Sequence, residues 1–130
     1  MIVIDASAIV QACLSEVDLA NLASFEMIAP PLLWSEATSV IHELKWRRQI
    51  SAGLAAAAFE NLKSAPVRSR RPAHLQAEAW RLAERFGWAK TYAAEYVALA
   101  QSSKCRLLTT DAKLAAIAIK VVDVIGPKDL

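Results

Sequence analysis

Short apolar runs that end at an acid, separated by stretches with helical spacing, constrain this chain more than any other feature. Met-Ile-Val-Ile-Asp over residues 1–5 and Arg-Leu-Leu-Thr-Thr-Asp over residues 106–111 show no alternation of apolar and polar side chains before the acid. A strand with one wet face alternates, whereas a strand covered on both faces does not. These runs therefore belong to a parallel sheet with helices on either side.

The rest of the chain reads consistently with that frame. Ile2 to Ile4 forms a buried strand, and Asp5 or Ser7 caps a first helix that runs to about Leu14. A short helix fits Glu16 to Ser24, and Met27 to Ala29 gives a second strand. Pro30 and Pro31 stop that strand and open a long helix, with an apolar stripe at Leu33, Ala37, Val40, Ile41 and Leu44. A further helix covers Leu54 to Leu62, and residues 65–72 are loop or edge strand. Another helix runs from Ala73 to Phe86 and ends at Gly87, as a helix C-terminus favours glycine. Thr91 is placed to cap a helix from Tyr92 to Ser102. Arg106 to Thr109 is a third strand, Asp111 caps a helix over Lys113 to Ile117, and Lys120 to Val124 forms the last strand.

With 130 residues and 55% hydrophobic content, the chain is expected to form one domain over its whole length. Cys13 and Cys105 have none of the paired spacing of a disulfide framework or zinc site, which points to buried, reduced thiols and a cytoplasmic protein. No apolar run is long enough to span a membrane. Charge is unevenly spread. Residues 1–42 hold five acids and no Lys or Arg, whereas residues 43–71 hold seven basic side chains against two acids. Lys45, Arg47, Arg48, Arg68, Arg70 and Arg71, with Trp46 among them, suit a phosphate backbone. Solvated helix faces and a charged loop explain the same run equally well.

Three acids occupy positions with chemical meaning. Asp5 and Asp111 follow strands, and in a parallel sheet ligands collect at the carboxyl ends of strands. Glu36 lies in the second turn of a helix that begins just after a strand and borders its buried stripe, where an unpaired carboxylate is costly. Carboxylates gathered at one edge repel one another unless a cation joins them. Hard oxygen ligands of this kind suit Mg²⁺ or Mn²⁺, which activate water and stabilise charge on a phosphodiester. Taken singly, Asp111 also reads as an ordinary helix cap, Asp5 as a turn residue and Glu36 as a charge favoured near a helix N-terminus.

Ile-Val-Ile-Asp-Ala-Ser-Ala near the start, Ala-Pro-Pro-Leu-Leu-Trp-Ser-Glu-Ala in the first third, Thr-Tyr-Ala-Ala-Glu-Tyr-Val-Ala-Leu-Ala late on, and Leu-Leu-Thr-Thr-Asp-Ala-Lys-Leu resemble PIN domains. More narrowly, the ordered set resembles the VapC toxins of toxin–antitoxin pairs. The resemblance implies a three-layer α/β/α fold with a central parallel sheet of four to five strands, and a Mg²⁺- or Mn²⁺-dependent endoribonuclease. It also implies a VapB-type antitoxin and a homodimer as partners. Asp5, Glu36 and Asp111 match the family's acidic positions, Ser7 matches a polar neighbour of the first aspartate, and Thr110 stands as a second supporting polar residue. The remaining family acid falls in a motif that usually reads Tyr-Asp-Ala, where this chain has Tyr92-Ala93-Ala94.

A methyl group binds no metal, so Ala93 implies impaired cleavage. Glu95 is the nearest acid, but two residues along a helix turn it by about 200° away from position 93. The chain is either a member that has lost activity or a toxin disarmed for production, and the other intact motifs favour the second. Two other classes of function compete. A phosphoacceptor receiver domain needs an acidic pair after the first strand and a mid-chain aspartate, but residues 54–58 read Leu-Ala-Ala-Ala-Ala. A PIN-like module that binds antitoxin or RNA without cutting is the stronger rival, because of Ala93. His42 and His74 have no second local ligand for a zinc site. The tryptophans are explained by core and interface packing more readily than by base stacking, with Trp46 as the one placed for RNA contact.

Overall fold

Five strands make one sheet in the computed structural model, which describes residues 1–130. They are Ile2–Ile4 (β1), Met27–Ala29 (β2), Val67–Ser69 (β3), Arg106–Leu108 (β4) and Val124–Ile125 (β5). Their order is β3-β2-β1-β4-β5, and every neighbouring pair is parallel. The chain thus builds outward from β1 to β3, then crosses over to lay β4 on the other side of β1. The boundary between β1 and β4 is the topological switch point, the place where such sheets form ligand sites.

Seven helices cover the sheet in a three-layer α/β/α arrangement: Ala6–Cys13 (α1), Glu16–Leu22 (α2), Leu32–Trp46 (α3), Ala52–Ser64 (α4), Leu75–Phe86 (α5), Tyr92–Ser103 (α6) and Ala112–Ala118 (α7). One layer is formed by α1 with α2, α3 and α4. On the other side α5 pairs with α6, which packs onto β1 and β4. Between the layers, Ile2, Val3, Ile4, Ile28 and Leu107 are wholly buried, which is why these strands carry no polar alternation. Burying each such side chain contributes about 1.5–3 kcal/mol, so the central strands are the best-anchored part of the molecule.

The helix α3 leaves the carboxyl edge of the sheet, yet β3 must start at the amino edge because it runs parallel to β2. The return is made by α4, whose Asn61 side-chain amide donates to the Cys13 carbonyl at the end of α1, 2.9 Å away. In the turn between α3 and α4, Arg48 adopts the left-handed conformation with φ of 59°.

Several expectations need correction. Val40 does not join the buried stripe of α3 but is 38% exposed, leaving Leu33, Ala37 and Ile41 as its buried residues. The last strand is Val124–Ile125, not Lys120–Val124, because Leu107 pairs with Val124 and Leu108 with Ile125 while Val121 and Val122 form the turn before them. Thr91 precedes α6 but makes no side-chain capping bond. Cys13 is buried, whereas Cys105 is only partly so. Residues 65–72 do supply an edge strand, β3, and Gly87 ends α5 in the left-handed conformation at φ 70°.

Candidate functional site

Asp5 is placed by the end of β1 and does two structural jobs at once. Its Oδ1 accepts from the Ala8 backbone N–H at 2.9 Å, which caps α1, and from the Ser7 hydroxyl at 2.7 Å. Its Oδ2 accepts from the Thr109 hydroxyl, because the pairing of Ile4 with Leu108 brings the next residues of β1 and β4 side by side. Asp5 is only 4% exposed. Burial raises its pKa above the ordinary 3.8; the hydrogen bonds from Thr109, Ala8 and Ser7 oppose that rise, and the charge of Asp111 adds to it.

Asp111 caps α7, its Oδ1 accepting from the N–H groups of Lys113 at 2.9 Å and Leu114 at 3.1 Å. Its other oxygen is left without a protein partner. Glu36, on α3, accepts at Oε1 from the phenol of Tyr96, 2.6 Å away. Its second oxygen is likewise unengaged. Burial first, then the hydrogen bond and charge of Glu36, raise the pKa of Tyr96, so the phenol stays a donor. Glu36 and Asp111 are thus each held by hydrogen bonds on one oxygen, whereas Asp5 is engaged on both, with no buried side-chain polar atom left unpaired.

Glu36, Ala93 and Asp111 line one open cavity of about 600 Å³. Asp5 lies outside that lining, near enough for the charge of Asp111 to act on it. No three His, Cys, Asp or Glu side chains approach closely enough to enclose a metal ion by themselves. The donor set therefore does not fit an all-protein cage. It fits a divalent cation that keeps most of its water and binds through one or two carboxylates. The methyl group of Ala93 faces the same space and adds no donor.

Two polar residues escaped the sequence reading. The hydroxyl on Asp5 belongs to Thr109; Thr110 contributes its backbone N–H, which donates to the Ser7 Oγ at 3.1 Å. Tyr96 reads as a core residue of α6, and at 2% exposed it is one, but its hydroxyl reaches Glu36 across 60 residues of sequence. A buried tyrosine hydroxyl needs a partner, and that was the available signal. Glu95 does not line the cavity. Burial and the charge of Glu36 raise its pKa, and Arg71 lowers it, so both residues stand near the acidic edge.

The basic run does not fold into one surface. Lys45, Trp46, Arg47 and Arg48 sit at the end of α3, with Trp46 76% exposed and Arg47 paired with Glu43. Arg68 pairs with Glu26 and Arg70 reaches Met1, residues that precede β2 and β1 and so mark the opposite edge of the sheet. Arg71 bonds to Gln76. Of the tryptophans, Trp46 and Trp80 are exposed, while Trp34 and Trp88 pack partly against the core. Burial pushes the Cys13 thiol up to about 11, which marks an inert core cysteine. No helix is long and apolar enough to cross a membrane.

No curated protein matches the chain significantly. Among solved structures, PAE2754 from Pyrobaculum aerophilum is similar over 98% of this chain and 91% of its own, with 24% identity and a TM-score of 0.73. FitAcB from Neisseria gonorrhoeae is similar over 100% of both chains, with 17% identity and a TM-score of 0.61. At these identities the likeness is one of fold. The model of the PIN domain family matches residues 2–120, nearly the whole chain and all three acids with their strands and caps, and the chain belongs to that family.

Proposed function

We propose that this PIN domain is built as a Mg²⁺- or Mn²⁺-dependent endoribonuclease of the VapC type, and that Ala93 leaves it impaired. The observation that carries the reading is that Glu36 and Asp111, each fixed by hydrogen bonds on one oxygen, line one cavity, with Asp5 near enough for the charge of Asp111 to act on it. Glu36 and Asp111 each keep one oxygen free toward the same cavity. In this reading Asp111 and Glu36 hold the cation directly and Asp5 completes the negative site. A bound divalent ion supplies charge neutralisation at the phosphodiester and a more acidic water. The chain's own part is positioning: Tyr96 orients Glu36, Ser7 and Thr109 orient Asp5, and the backbone of α7 orients Asp111.

Lys45, Arg47 and Arg48, beside exposed Trp46 at the end of the helix that carries Glu36, are assigned the guiding of RNA, as is Arg71, whose charge acts on Glu95 near Glu36. Arg68 and Arg70 turn toward Glu26 and Met1 and are not assigned this role. The family resemblance adds a VapB-type antitoxin and a second copy of the chain as partners, and a cytoplasmic setting. Val40, Leu54 and Phe59, exposed on α3 and α4, are apolar surface available to either partner.

A binding module that does not cut is the second reading, and Ala93 is the observation that favours it for the molecule as it stands. Cleavage of structured RNAs in Mn²⁺ or Mg²⁺ by this chain and by Ala93→Asp separates the two. The nuclease reading expects the aspartate to raise cleavage by several orders of magnitude, with Asp5→Asn abolishing it again. Two inert proteins that still bind RNA leave the binding module.

A further inference from the structure

The cavity that holds Glu36 and Asp111 has a second wall that the carboxylates do not explain. It is formed by Trp88, Tyr92, Leu114 and Ile117, with Lys90 and Lys113 among the lining residues. Tyr92 is 56% exposed, a large aromatic ring left in solvent beside the acids with little share in the core. Trp88 is held in place. Gly87 turns the chain in the left-handed conformation, the Trp88 N–H donates to the Ala83 carbonyl at 2.8 Å, and the indole packs on Phe86 with ring centroids 5.2 Å apart. The two lysines are exposed and take part in none of the protein's ion pairs.

This combination has a chemical complement. The acids alone repel an incoming phosphate, so free ammonium groups at the same opening offset that repulsion. Aromatic faces beside them suit a flat base, because every base has a π-face and stacks with little regard to sequence. A volume of about 600 Å³ lies in the range that holds a small organic ligand, roughly 300–1,000 Å³. In a duplex, bases are stacked on one another and closed to such a wall, whereas in a loop they splay out onto aromatic side chains.

We propose that Trp88 and Tyr92, with Lys90 and Lys113, form a subsite for the base and flanking phosphate of one unpaired nucleotide next to the phosphodiester to be cut. Its placement next to a scissile bond rests on the nuclease reading, but the binding it describes is independent of cleavage. A partner protein's side chain is the competing occupant; Lys90 and Lys113 beside an aromatic face favour the nucleotide.

The test is equilibrium binding to the chain as it stands, where Ala93 is expected to keep the RNA intact. The probes are a fluorescein-labelled hairpin with an adenine- and uridine-rich loop and a fully paired duplex of the same stem, followed by anisotropy. The hairpin is expected to bind about tenfold more tightly than the duplex, and Tyr92→Ala to remove about tenfold of hairpin affinity while Tyr92→Phe retains it. Lys90→Ala with Lys113→Ala is expected to weaken both RNAs and flatten the salt dependence. Exposed Tyr92 is replaceable without loss of fold, which circular dichroism verifies. Equal affinity for the two RNAs, no effect of Tyr92→Ala, or no binding of either overturns the subsite, as it would if the cavity held a protein side chain instead. Cleavage by Ala93→Asp, run in parallel, keeps the two claims apart. An inert Ala93→Asp protein with a Tyr92-dependent loop preference sinks the nuclease reading and upholds the subsite, while efficient cleavage with no Tyr92 effect on binding or cut position does the reverse.

Discussion

Asp5 is a carboxylate that the fold uses as a cap and yet keeps from water. Its neighbours Ser7, Ala8 and Thr109 donate to it, but burial outweighs them and its pKa is raised. A carboxyl with a raised folded pKa favours the folded state in acid, and that contribution is lost as the pH rises through the folded value. At neutral pH, without a cation, the charge is therefore a cost. Asp5→Asn keeps a good capping residue and removes the charge. It is expected to raise stability at neutral pH by about 0.5–2 kcal/mol, as relief of strain at functional sites commonly does. It should also flatten the pH dependence of stability above the ordinary carboxyl value. Urea unfolding of the two proteins without divalent metal checks this, and a less stable Asn variant contradicts it. At this scale Asp5, Glu36 and Asp111 were legible because each stands at a recognisable strand end or helix start. Tyr96 and Thr109 were not, because their partners lie 60 and 104 residues away and only the sheet brings them together.

Elements were legible where local chemistry decides them and less so where pairing does. The strands β1, β2 and β4 are continuous apolar runs, and Gly87 closes α5 through a conformation that glycine reaches without steric cost. The two-residue β5 was misplaced because Val121 and Val122 carry as much strand character as Val124, and only the register against β4 chooses between them. The edge strand β3 is exposed and rich in Arg and Ser, so its pattern resembles a loop. Helix caps give a sharper contrast. The Ser51 hydroxyl accepts from the Leu54 N–H at 3.0 Å and caps α4, whereas Thr91 in the same position before α6 does not bond. Ser51→Ala is expected to lose about 1 kcal/mol of stability, and Thr91→Ala less than about 0.5 kcal/mol. Equal losses in urea unfolding would show that Thr91 caps α6 after all.

The whole molecule turns one crossover into a site. Because β4 is laid beside β1 after β3 is complete, residues 36, 93 and 111 line one cavity with Asp5 close by, while most of the basic run is dispersed. That dispersal was not legible, since Arg68 and Arg70 adjoin Arg71 in sequence but point toward Glu26 and Met1. The uneven charge of the sequence reflects the chain's order more than a continuous surface. Asn61 ties α4 to the end of α1. What the arrangement lacks is a donor at position 93, where a methyl group faces Glu36 and Asp111 across open space.

The direct measure of that claim is calorimetric titration of Mn²⁺ into this chain, Ala93→Asp, and Ala93→Asp with Asp5→Asn. A carboxylate restored at position 93 is expected to tighten Mn²⁺ binding by about tenfold or more, since even the outer partners of metal ligands are worth 10–100-fold, and Asp5→Asn should reverse the gain. Identical weak binding by all three proteins would mean that these acids do not form one metal site.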